Sequence, residues 1–282
     1  MVASSGATAG LGLLSAASWG GSDFAGGWGA RRVSSLLITA SGQVVSLAAL
    51  LALCLFLHAA LPGTGFLIYA AIGGFEGAIA LAVFYRALSM GAMGLTAALT
   101  GLMTALIPVL FELFHSGWPK ALTVVGLTIG LAAIWMISHS PATEGAGTSH
   151  RALLLGATAG VGFGVQLILF KAAAAGGVLW ALTAGRVAGA VAILLVIAVA
   201  PPKPPWRGFW IAGIISGSLD AIGNLFYMMA SQLGRLDVAA VICSLYPAGT
   251  ILLAGLLLRE RPTRRQVAVM GLALAAVALL SL

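Results

Sequence analysis

The sequence predicts an all-α polytopic membrane protein, with ten transmembrane helices arranged as two inverted five-helix repeats around a central cavity. Three observations carry that expectation. Only 7% of the 282 residues are charged and 61% are hydrophobic, whereas a soluble domain presents roughly a quarter charged residues to water. Apolar runs such as Val187 to Ala200 and Gly271 to Leu280 are continuous. They lack the alternation of a membrane barrel, which leaves the helix as the way to satisfy a backbone in hydrocarbon. The second half of the chain also repeats features of the first at a fixed offset.

Breaking the chain at charges, Pro and Gly gives spans at 8–29, 35–58, 65–88, 91–114 and 119–138 in the first half. The second half gives 151–174, 178–199, 207–232, 236–258 and 263–281. Each has about the 20 residues needed to cross a bilayer. The first span has no basic region ahead of it and reads as a spanning helix rather than a cleaved leader. The polar stretch between the fifth and sixth spans divides the chain into repeats at 1–138 and 151–282, joined by a linker at 139–150. Glycines recur at fourfold spacing, as in Gly73/Gly77, Gly156/Gly160/Gly164, Gly185/Gly189 and Gly213/Gly217, where they let helix backbones approach closely. The Gly160, Gly162, Gly164 run imitates a phosphate loop, but it lies inside an apolar helix with no strand before it.

A shift of 143 residues takes Phe84, Ala87, Gly91 and Pro119 onto Tyr227, Ala230, Gly234 and Pro262. One residue further, Gly73 and Glu76 fall on Gly217 and Asp220. Under the same 143 shift Gln43 lies on Arg186 and Asp23 on Gln166. An odd number of spans per half turns the second copy upside down, and such a plan places the working site near the midplane.

A charge at the centre of a spanning helix costs about 2.5–3.5 kcal/mol on insertion scales, so the few present should face a partner or a wet cavity. Asp23, Glu76, Asp220 and Arg186 are those residues. Ser216, Asp220, Asn224 and Tyr227 share one face of the eighth span, which should line the cavity; an internal polar staple is the plainer reading of Asp220 with Asn224. Ser15, Trp19 and Ser22 share a face of the first span, with Asp23 one turn beyond Trp19. A ring beside a carboxylate suits an amine or a planar substrate. Arg186 is expected to pair with Asp220 or Glu76. Pro108 and Pro247 interrupt the fourth and ninth spans and are the candidate hinges. Cys54 and Cys243 lie in apolar segments without metal spacing and read as packing residues.

Trp19-Gly20-Gly21-Ser22-Asp23-Phe24 in the first span, Ser244-Leu245-Tyr246-Pro247 in the ninth, and Leu256-Leu257-Leu258-Arg259-Glu260-Arg261-Pro262-Thr263 after it resemble the EamA family of the drug/metabolite transporter superfamily. The likeness covers nearly the whole chain in two copies. It implies a basket of inverted repeats, a cavity built from spans one, three, four, six, eight and nine, and export of amino acids, aromatic ones included, or related metabolites. In the first copy His115-Ser116-Gly117-Trp118 stands where the second has Arg259-Glu260-Arg261.

The expectation is therefore a secondary carrier of the bacterial inner membrane that alternates access by rocking its repeats. Trp19, Tyr85, Tyr227 and Tyr246 would supply aromatic walls, and Ser22, Asp23, Glu76, Gln166, Asp220 and Asn224 polar contacts. The expected partners are a small-molecule substrate, the lipid bilayer and protons through Glu76 or Asp220; no cofactor, metal or nucleic acid is expected. A passive channel and an intramembrane enzyme are the alternatives, the second lacking any HExxH, GxSxG or paired His within a span. The net charge of +7 reads as topology signals between spans. Arg31, Arg32, Arg86, Arg151, Lys203, Arg207, Arg259, Arg261, Arg264 and Arg265 fall on one side, against Lys120, Lys171 and Arg235 on the other. By the positive-inside rule both termini face outward, whereas the family resemblance implies termini in the cytoplasm; both orientations stay open.

Overall fold

The computed structural model describes residues 2–90, 93–115, 121–138, 150–203 and 209–259, with Arg264, Ala268 and Leu272. The helices are α1 (Val2–Ala30), α2 (Ser35–Phe56), α3 (Thr64–Leu88), α4 (Met93–His115), α5 (Ala121–Ser138), α6 (His150–Ala174), α7 (Val178–Val199), α8 (Phe209–Leu233), α9 (Leu236–Cys243) and α10 (Tyr246–Leu257). Among the described residues there is no strand, and seven segments are long and apolar enough to cross a membrane, Leu236–Leu257 counted as one. The protein is an integral membrane protein.

The helix count differs from the expected ten spans. Segments α9 and α10 are two pieces of the ninth span, parted at Ser244 and Leu245, so the described residues form nine helical units. The tenth expected span, 263–281, lies outside the described residues apart from Arg264, Ala268 and Leu272, and the linker core 139–149 lies outside them too. Pro108 stands inside the continuous α4, while Pro247 begins α10 in the first helical turn. At that position its missing N–H would have had no helical acceptor.

The interior holds small and hydroxyl residues, among them Ala70, Ala97, Ala239, Ser15, Thr96 and Thr100, while Phe56, Val199, Leu194 and Leu256 are exposed. That distribution suits lipid, where helices associate through close packing and hydrogen bonds because the surrounding solvent is as apolar as leucine. Hydroxyls accordingly donate across helix contacts to backbone carbonyls. Ser15 Oγ reaches Gly223 O at 2.8 Å, Thr100 Oγ1 reaches Gly156 O at 2.9 Å, and Thr250 Oγ1 reaches Gly20 O at 3.2 Å.

The halves do not sit side by side. Helix α1 packs along α8, and its counterpart α6 packs along α3; α2 lies on α8 as α7 lies on α3; α4 crosses α6 as α9 and α10 cross α1. Each of these contacts joins one half of the chain to the other. The result is two mixed bundles, one of α1, α2, α8, α9 and α10, the other of α3, α4, α6 and α7, meeting chiefly at α2 with α7 and at α4 with α9 and α10.

Glycine sets the tightest approaches. A side chain on Gly42 would place its Cβ 3.0 Å from Gly217 Cα, and one on Gly74 would run into the backbone of Gly185. The 143 shift converts Gly42 with Gly217 into Gly185 with Gly74. The same crossing is thus built twice.

Candidate functional site

Between the two bundles lies a cavity lined by Trp19, Asp23, Leu81, Thr104, Phe163, Gln166, Leu167, Asp220, Asn224 and Tyr246, with about 360 Å³ of space not filled by atoms, its solvent-open part included. A second space of about 290 Å³ continues past Asp220 to Gln43, Gly74, Gly77 and Arg186.

A polar chain crosses the boundary between these spaces. Arg186 Nη1 on α7 lies 2.6 Å from Asp220 Oδ2 on α8 and donates to Gln43 Oε1 on α2 at 3.4 Å. Asn224 Nδ2, one turn beyond Asp220, donates to Asp220 O at 2.8 Å and to Oδ1 at 3.1 Å. All four residues are buried. Asp220 is tolerated in the apolar helix because a cation and an amide share its charge. Of the two carboxylates expected as candidates, Asp220 holds Arg186. Gln43 and Arg186 occupy the same position in the two halves and touch each other.

The expected site residues separate into four groups. Trp19, Asp23, Gln166, Asp220, Asn224 and Tyr246 all line the larger cavity. The Trp19 ring lies 6.0 Å from Tyr227 and meets Tyr246 edge-on at 6.3 Å, so the aromatic wall is one contiguous cluster. Ser22 and Tyr227 act instead as braces. Ser22 Oγ is 3.0 Å from the Tyr85 hydroxyl and donates to Ser216 O at 2.9 Å, while the fully buried Tyr227 donates to Leu167 O at 2.6 Å. Tyr85 lines a small neighbouring space with Gln43, Arg186 and Asp220. Glu76 lies apart. It is half-buried on α3 against Gly162 of α6, and it lines none of these spaces.

Several buried polar atoms around the cavity have no hydrogen-bond partner among the described residues: Trp19 Nε1, Asn224 Oδ1, Arg186 Nη2 and the Tyr246 hydroxyl, which faces Thr104 without completing a bond. Such atoms cost free energy unless water or a bound molecule meets them. Gln43 and Thr104 were not among the expected site residues. The 143 shift that paired Gln43 with Arg186 was the signal available for the first; Thr104, one of many threonines on a packed helix, carried none. Among the described residues no group of three or more His, Cys, Asp or Glu is placed to hold a metal ion.

A bundle of apolar helices with a doubled helix crossing, around a cavity that holds buried polar groups, defines a polytopic membrane protein. The chain belongs to the EamA-like transporter family, whose model matches residues 7–139 and again 150–282. The fold is also that of a solved protein titled only "Crystal structure of protein", with a TM-score of 0.72 at 20% identity, covering 96% of this chain and 95% of that one. No curated protein matches the chain.

Proposed function

We propose that the protein is a secondary transporter that exports small metabolites, amino acids and their aromatic members among them, or related amphiphiles, across the bacterial inner membrane by alternating access. In this reading residues 1–138 and 151–282 are inverted five-span copies joined by 139–150, and the cavity at their shared axis is the substrate site. The observation that carries it is the contact between Gln43 and Arg186, equivalent residues of the two halves, beside a cavity with unpartnered polar atoms. A site on such an axis presents equivalent walls to both membrane faces, which is what alternating access requires.

The interlocked packing favours the mixed bundles, rather than the sequence repeats, as the moving bodies. Rocking one repeat against the other would pull apart the glycine crossings of Gly42 with Gly217 and Gly74 with Gly185. Rocking one mixed bundle against the other leaves both crossings intact. Pro108 and Pro247 are the hinge residues of that movement, one within α4 and one at the break before α10, where those elements of the two bundles meet.

Counterflow in proteoliposomes tests the proposal. A saturable exchange of labelled for unlabelled amino acid, inhibited across a competition panel, is expected; unitary current steps without saturation would establish a channel in its place. Both facilitated diffusion and proton-coupled export suit this carrier, and in the coupled case the proton is carried by Glu76 or Asp220. Transport and pH dependence unchanged in the double variant E76Q/D220N would remove that assignment.

A further inference from the structure

We infer that the cavity selects a substrate of single net positive charge, an arylalkyl ammonium, with its nitrogen on Asp23 and Asn224 Oδ1 and its ring against Trp19 and Tyr246. The inference rests on reading this cavity as the transport site, and among the substrates of that reading it picks the related amphiphiles, and of these the cationic ones, over amino acids.

Charge balance comes first. The larger cavity is lined by two carboxylates, Asp23 and Asp220. Asp220 is matched by Arg186 at 2.6 Å, and no ion pair among the described residues reaches Asp23, which is 5% exposed. The Asp23 carboxyl can therefore be ionised only when the occupant brings the matching charge, because an unpaired carboxylate so buried is costly.

Hydrogen-bond polarity points the same way. The amide nitrogen of Asn224 is committed to Asp220, which fixes Oδ1 as the outward atom, and that oxygen is buried without a donor. Asn224 Oδ1 and an ionised Asp23 are both acceptors, and an ammonium with N–H bonds satisfies both while matching the charge on Asp23. A quaternary amine has no hydrogen for Asn224. A carboxylate would sit near two acids, while Arg186, with its open Nη2, lines the neighbouring space past Asp220 rather than this cavity. A bare metal ion would want a full shell of oxygens, and the indole N–H of Trp19 presents a donor instead. Trp19 and Tyr246, set edge to face, supply the flat apolar wall and the ring faces that attract a cation.

The test uses the full-length protein in lipid nanodiscs and calorimetric titration with compounds that share a phenyl ring and a short chain: phenylethylamine, its N-trimethyl form, phenylalanine, phenylethanol and phenylpropionate, with sodium chloride as a further arm. Phenylethylamine is expected to bind at least about tenfold more tightly than phenylethanol, with phenylalanine and the N-trimethyl form between them and phenylpropionate weakest. Asp23→Asn should bring the amine-to-alcohol ratio close to one, and Asp23→Glu should keep it. If Asp23→Asn does not fold, the wild-type ranking together with Asp23→Glu decides. Equal binding of amine and alcohol, tighter binding of phenylalanine than of the amine, saturable sodium binding, no binding at all, or a preference that survives in Asp23→Asn would each overturn the inference. Counterflow separates the two readings. Amine binding that depends on Asp23 without counterflow leaves the inference standing and removes the transporter reading; counterflow without amine preference does the reverse.

Discussion

Asp220 is stable inside a lipid-embedded helix because Arg186 stands 2.6 Å away, so removing one partner should harm the protein more than removing both. R186Q leaves a buried carboxylate uncompensated and should cost about 3 kcal/mol, whereas R186Q/D220N should recover most of that loss. Thermal unfolding in nanodiscs measures both. Tyr85→Phe gives up the bond to Ser22 and should cost about 1 kcal/mol, because Ser22 keeps its bond to Ser216 O and is not orphaned. Much of the site was legible at this scale. Asp220 and Asn224 stand four apart on one helix face, and the 143 shift carries Asp23 onto Gln166. The partner of Arg186 was not legible, since Glu76 and Asp220 share a depth and only packing places one against α7 and the other against Gly162. Tyr227 sits on the Asp220 face as expected, yet α6 closes over that turn and takes its hydroxyl.

Helix contacts here depend on the absence of side chains at a few positions. Gly74→Ala would drive a Cβ into the backbone of Gly185, where neither partner has a flexible end to move. It should cost about 3 kcal/mol or abolish the monodisperse peak on size exclusion. Gly65→Ala meets nothing within 4 Å and should leave the melting temperature within the range of about 0.5 kcal/mol of surface changes. Fourfold glycine spacing marked Gly185, Gly213 and Gly217 in the sequence, but their opposing surfaces at Gly42 and Gly74 fall outside that spacing and emerge only from the crossing. The ninth span shows a second kind of ambiguity. A proline that bends a helix and a proline that starts one carry the same residue, so Pro247 read as an interruption when it opens α10 after a turn at Ser244 and Leu245.

The duplication was readable at the level of the whole molecule; the interlocking was not, because an offset says that two halves are alike without saying whether they stand apart or exchange helices. The structure exchanges them, and the principal helix contacts join the halves. Fragments cut within 139–149 should therefore each be insoluble or rapidly degraded when expressed alone, and should co-purify as one monodisperse particle when expressed together. Independent stability of either fragment, measured by recovery after detergent extraction, would contradict this interlocked arrangement. The same arrangement imposes a schedule on synthesis. Gln43 leaves the ribosome 143 residues ahead of the arginine that binds it, and Gly42 precedes its backbone partner Gly217 by a longer interval. The early segments must dwell in the translocation machinery, or beside a chaperone that shields polar groups from acyl chains, until the later ones arrive. Slowing elongation late in the message should then lengthen the interval during which the nascent protein is open to quality-control proteases.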